Sequence, residues 1–309
     1  MTANPFDDFR RLLRHMPDSD REAAARVRAR AEELSALHGD LGGFVDLAAW
    51  HAAWQGKCPP MILRPTIAVF AGANATGDMN ANNAATKALV DKAESGGAAV
   101  NALCGMHNLT LKVLDLALDL PVGDITVQAA LDERATAATM AFGMEAVAGG
   151  ADLLGFGDFG RGNGVHAQAI IMALLGGDLF EAPEKSLAER ALAFHRRDIA
   201  DPLGALARLG TREIAAIAGA ILAARMEKIP VLLDGPAALA AAAVLYGEDP
   251  RALAHCRLAR ALPGGFGKAA RLIGLDPVGD FAHGLDGGAG AALAAAQVKA
   301  AAQLFVAMT

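Results

Sequence analysis

Residues Ala151–Gln168 read ADLLGFGDFGRGNGVHAQ, and the fold turns on them. Leu153 and Leu154 close a short apolar run of the kind that ends a buried strand. Glycines then stand at 155, 157, 160, 162 and 164. From Val165 onward, Ala169, Ile170, Ile171, Ala173 and Leu174 take up a helical spacing. Strand, glycine-dense turn and helix start together make an anion site. Glycines let the backbone approach closely, and the unpaired N–H groups of a helix start attract negative charge. Gly155–Gly160 also spells GxGxxG, a weak pattern alone. The dinucleotide version runs into a helix after its third glycine, whereas here the glycines continue. A plain strand-to-helix loop is the competing reading.

Two more segments repeat the arrangement. Thr66–Ala71 (TIAVFA) is β-branched and apolar on both faces, as in a central parallel strand, and ends in Gly72-Ala73-Asn74. Ile229–Leu233 (IPVLL) ends in Asp234-Gly235 and leads into an Ala-rich helical stretch. Around them lie helical patterns at Asp18–His38, Phe44–Gln55, Asn82–Ser95, within Asp124–Gly149, and at Ser186–Arg197, Asp201–Leu209 and Ile214–Glu227. Leu111–Leu116 is strand-like, a short helix ends at Leu272, and a last helix runs from Ala291 to about Phe305. Strands alternating with helices predict an α/β fold, a parallel sheet wrapped by helices in a Rossmann-like manner. In such sheets ligands bind beyond the carboxyl ends of the strands. All three glycine-bearing turns stand there, which points to a phosphate-bearing small molecule. The expected division is an α/β nucleotide-binding domain over 61–290, with a smaller helical subdomain from 1–60 and 291–309.

Composition narrows the partners. The 309 residues carry 53% hydrophobic and 20% charged side chains, enough for a substantial core. A net charge of −6, with no basic run or aromatic ladder, argues against nucleic acid. Three scattered cysteines (Cys58, Cys104, Cys256) fit reduced thiols, with no disulfide framework and no cysteine zinc site. The eight histidines form no metal motif. Asp7, Asp8, Arg10 and Arg11 stand where a secretory signal would need an apolar core. The longest apolar stretches, Ile214–Ala224 and Pro236–Tyr246, are too short to span a bilayer and read as buried helices. The expectation is a cytoplasmic protein with no membrane partner.

The ordered set TIAVFAG (Thr66–Gly72), GGAAVNAL (Gly96–Leu103), DLLGFGDFGRGN (Asp152–Asn163), EIAAIAGA (Glu213–Ala220), IPVLLDG (Ile229–Gly235), GLDP (Gly274–Pro277) and LDGGAGAAL (Leu285–Leu293) carries a resemblance. Together these motifs resemble the nicotinate-nucleotide:5,6-dimethylbenzimidazole phosphoribosyltransferases of cobalamin synthesis, over nearly the whole chain. The resemblance implies transfer of phosphoribose from nicotinate mononucleotide to dimethylbenzimidazole or a related base. The products are α-ribazole phosphate and nicotinate. It also implies a homodimer, a glutamate near the C-terminus as general base, and neither metal nor cofactor. A non-catalytic relative that binds a nucleotide or base without turnover is the alternative.

Departures from the family pattern define the candidates. In the glycine turn Asp158 stands for a glutamate, Phe159 for a methionine and Arg161 for an isoleucine. The family's Gly-Thr-Gly phosphate loop, expected near Leu179–Lys185, is missing, although Lys185 beside Glu184 falls close to a family lysine. The C-terminal Gly-Glu-Gly reads Asp286-Gly287-Gly288, which puts glycine at the general-base position. Asp286 is therefore the candidate catalytic base, with turnover expected well below that of a typical member. The candidate substrate-binding residues are Gly72, Asn74, Asp158, Gly160, Arg161, Gly162, Asn163, Glu213 and Gly288. Asp158 reads equally as a turn-capping carboxylate, Arg161 as a solvated arginine, and Glu213 as a partner of the helix N-terminus. His166 reads as a neutral surface histidine and Asp234 as ordinary turn chemistry.

Overall fold

The computed structural model describes residues 4–181, 186–279, 284–285 and 287–307. Among them six strands form one parallel sheet in the order β2-β1-β3-β4-β5-β6. These are β1 (Pro65–Ala71), β2 (Thr110–Asp115), β3 (Leu153–Asp158), β4 (Val231–Leu233), β5 (Cys256–Arg260) and β6 (Pro277–Gly279). The three strands expected from the apolar runs are neighbours at its centre. Every residue of β1 is buried, as a run without polar alternation requires.

The helices begin with α1 (Asp7–Arg14), α2 (Arg21–His38), α3 (Gly43–Gln55), α4 (Met79–Glu94), α5 (Ala99–His107) and α6 (Glu133–Met144). They continue with α7 (Gly164–Leu175), α8 (Ser186–His195), α9 (Pro202–Leu209), α10 (Arg212–Met226), α11 (Pro236–Glu248), α12 (Gly264–Leu272) and α13 (Ala289–Ala307). Asp20 caps α2 by accepting from Ala23 N at 2.9 Å.

The period of two along each strand splits the core into layers. Ala68, Phe70, Leu154, Phe156 and Leu233 face α1 and the helices α6 to α12. Ile67, Val69, Leu153 and Leu232 face α13 and the helices α2 to α5. Within the first layer α6 and α10 meet backbone to backbone. A Cβ on Gly143 would overlap the main chain of Ala216, and one on Gly219 would overlap the carbonyl of Met140.

Several expectations need correction. Gly155 and Gly157 belong to β3 and not to the turn. They are glycines because α13 and its approach lie directly on the strand: a Cβ at Gly155 would stand 2.6 Å from Ile67 Cδ1 and 2.8 Å from Ala291 Cβ, and one at Gly157 would overlap Gly288. β5 escapes an apolar-run search because Arg257 and Arg260 interrupt it, and β6 is three residues beginning with proline. In the 124–149 segment the α-helix is confined to α6. At 19 residues α13 is apolar and long enough to cross a membrane, so the two stretches singled out from the sequence are not the longest. Ala291, Ala295 and Val298 of this helix are nevertheless buried in the second layer.

Candidate functional site

β3 ends at Asp158, and the turn that follows delivers the chain to α7. Asp158 Oδ1 accepts from Gly160 N at 3.0 Å and from Asn163 Nδ2 at 2.7 Å. The same Asn163 Nδ2 donates to Glu213 Oε1 at 3.1 Å. Glu213 is fully buried in the first turn of α10. Its carboxyl group fills the gap between the ends of β1 and β3, so a Cβ on Gly72 or Gly160 would overlap it. That close approach, more than turn geometry, accounts for glycine at both positions.

The first glycine turn is tied to the central one through Asn74. Its Nδ2 donates to the carbonyl of Arg161 at 2.8 Å, and its own N–H donates to Asn83 Oδ1 at 3.1 Å. Arg161 N in turn donates to Thr86 Oγ1 at 2.9 Å. Gly162 has φ +78°, and a Cβ there would overlap the Asn82 amide.

The third turn does more than reverse the chain. Asp234 Oδ1 accepts from Arg260 Nε at 3.1 Å, while Oδ2 accepts from Gly290 N at 2.8 Å and Ala291 N at 3.3 Å. It thus joins β4, β5 and the start of α13, where a carboxylate also complements the helix dipole. This replaces the plain turn reading.

Between these turns, beyond the carboxyl ends of β3, β4 and β5, lies a cavity of about 190 Å³. Asp158, Gly160, Arg161, Gly162, Asn163 and Gly288, all candidates from the sequence, line it together. Gly72, Asn74 and Glu213 stand behind that lining and brace it. Asp286 lies outside the described residues, as do Glu184 and Lys185. Leu89, Phe159 and Leu285 add apolar walls, and Arg260 adds a second guanidinium. Arg260 was missed because β5 was missed; an arginine ending a parallel strand is the signal that could have found it.

Burial pushes Asp158 up to about 7, with the nearby Glu213 and Asp234 charges raising it further against the hydrogen bonds from Asn163 and Gly160. Burial also raises Glu213, whose Oε2 has no hydrogen-bond partner. His166 corrects the surface reading. It is fully buried on α7, its Nδ1 lies 2.9 Å from the Leu209 carbonyl and 3.0 Å from that of Gly210, and burial lowers it to about 4. Among the described residues no three His, Cys, Asp or Glu side chains gather as a metal site.

A family model described as phosphoribosyltransferase matches residues 16–309. The chain is 48% identical to the nicotinate-nucleotide–dimethylbenzimidazole phosphoribosyltransferase of Brucella anthropi, over 96% of this chain and 93% of that one. It is likewise 48% identical to the protein of that name from Allorhizobium ampelinum, over 98% and 94% of the two chains. A crystal structure of the Thermus thermophilus enzyme of that name superposes with a TM-score of 0.82 at 26% identity, covering 94% of this chain and 97% of that one. The chain therefore belongs to the nicotinate-nucleotide–dimethylbenzimidazole phosphoribosyltransferase family.

Proposed function

We propose that this protein transfers the phosphoribosyl group of nicotinate mononucleotide to 5,6-dimethylbenzimidazole or a related base, giving α-ribazole phosphate and nicotinate. The observation that carries the reading is the composition of the strand-end cavity. Leu89, Phe159 and Leu285 offer apolar walls to a flat aromatic base, while Arg161 and Arg260 supply positive charge for a phosphate. Such a site accelerates transfer chiefly by holding the acceptor nitrogen against the anomeric carbon. Relatives at 48% identity bearing the enzyme's name favour turnover over a binding-only role.

Glycine at 287 leaves the family's general-base position without a carboxylate, so the proton of the acceptor base leaves by another route or slowly. Homodimerisation and a cytoplasmic location complete the proposal. Purified protein incubated with both substrates should release nicotinate and α-ribazole phosphate in equal amounts by chromatography. Absence of both products at all pH values would reject the activity. Light scattering at micromolar concentration should give twice the chain mass.

A further inference from the structure

Position 287 cannot regain a side chain cheaply. Its backbone has φ +67°, and a Cβ there would overlap the Phe159 ring, itself 3% exposed. A carboxylate able to accept the proton is therefore to be sought elsewhere on the cavity wall. Two carboxylates among the described residues line it, Asp158 and Asp234. Both oxygens of Asp234 are engaged, one by Arg260 and the other by the N–H groups opening α13. Asp158 is bound differently. Gly160 and Asn163 both take Oδ1, while Oδ2 lies on the Gly235 side of the cavity, 3.8 Å from where a Cβ on that glycine would stand.

We propose that Asp158 is the catalytic base of this chain and that Glu213, joined to it through the Asn163 amide, is its positioning residue. This rests on the transferase reading above. The acceptor base attacks the anomeric carbon through one ring nitrogen, forming the new C–N bond. The bond to nicotinate breaks, and its electron pair stays on the pyridine nitrogen. The proton on the acceptor's other nitrogen passes to Asp158 Oδ2 and from there to solvent. Atoms and charge balance without a co-reactant.

The surroundings fit that role. A base working near neutrality needs a proton affinity near the operating pH. Burial and the Glu213 and Asp234 carboxylates raise Asp158 to about 7. Among the described residues the charged groups facing the site are Glu213 from α10, Asp234 after β4, Arg260 from β5 and Arg161 from the turn. Arg260 is paired with Asp234 at 3.1 Å, which leaves Glu213 as the carboxyl joined to Asp158 through a common amide.

The test is kcat/KM against pH for the wild type, Asp158→Asn and Glu213→Gln, with nicotinate mononucleotide affinity and Tm measured for each. Asp158→Asn keeps the acceptor for Gly160 and Asn163. It should lose about 100- to 10,000-fold in kcat/KM, hold the nucleotide within a few-fold (~3-fold) of wild-type affinity, and lose the acid limb of the profile. Glu213→Gln removes a negative neighbour, so its acid limb should move to lower pH. An Asp158→Asn enzyme at wild-type rate overturns the proposal, more so if Asp286→Ala is dead. An unmoved limb in Glu213→Gln overturns the positioning role. If the wild type forms no product, the transferase reading fails separately. The affinity for dimethylbenzimidazole then decides: dependence on pH that vanishes in Asp158→Asn supports the acid's role, and a flat profile in the wild type overturns it.

Discussion

The ring of Phe159 fills the space that a side chain on Gly287 would need. The two positions are far apart in sequence yet form one packing unit, so they should respond together. Gly287→Glu alone is expected to lower Tm and leave activity no higher, because it adds left-handed backbone strain of about 1–3 kcal/mol to the overlap. Pairing it with Phe159→Ala should recover part of the lost Tm. Equal melting of the single and double variants would show that the ring yields freely.

The contact between α6 and α10 should be equally intolerant. Gly143→Ala and Gly219→Ala each push a methyl into main chain, which has no rotamer to change. Overpacking of this kind costs about 1–3 kcal/mol. Denaturant midpoints should fall accordingly, and an unchanged midpoint in either variant would mean that the helices can slide apart.

Stability should respond to pH in two opposing ways. Burial lowers His51 and His166 to about 4 and His255 to about 3, from an ordinary 6.5. Below pH 6.5 the unfolded chain binds protons that the folded one refuses. That share of stability is complete above 6.5 and is lost as the pH falls towards 4. Asp158 acts in the other sense: raised from 3.8 to about 7, it favours the folded state less as the pH climbs through that window. The Tm of Asp158→Asn relative to wild type should rise between about pH 4 and pH 7, and a constant difference would contradict the raised value.

Asp234 ties two strands and a helix, so its removal should be costly. Asp234→Ala leaves Arg260, which is 15% exposed in its side chain, without its carboxylate. Breaking a largely buried pair on one side costs about 3–5 kcal/mol. Thermal unfolding should show it, and Asp234→Asn, which keeps an acceptor for Gly290, should lose less.

The central strands were legible because β1, β4 and the opening Leu153-Leu154 of β3 are apolar, and the turns because glycine follows each of them. The site was legible as a set of positions around one cavity. Less legible was why the glycines are there. Gly155 and Gly157 read as turn residues, yet they make room for α13, a tertiary demand that no local pattern records. His166 was misplaced for the same reason. A histidine near a helix start has no sequence mark of burial, which here comes from the carbonyls of Leu209 and Gly210. Arg260 was hidden with its strand.

Much of the cavity wall is main chain, through Gly160, Gly162, Gly235, Gly287 and Gly288. A wall of that kind cannot be reshaped by exchanging side chains without moving the fold. Discrimination between acceptor bases must then be written on the few large apolar side chains of the wall: Leu89, Phe159 and Leu285. Laboratory evolution for a new acceptor should find its gains at these three positions and almost nowhere else in the pocket.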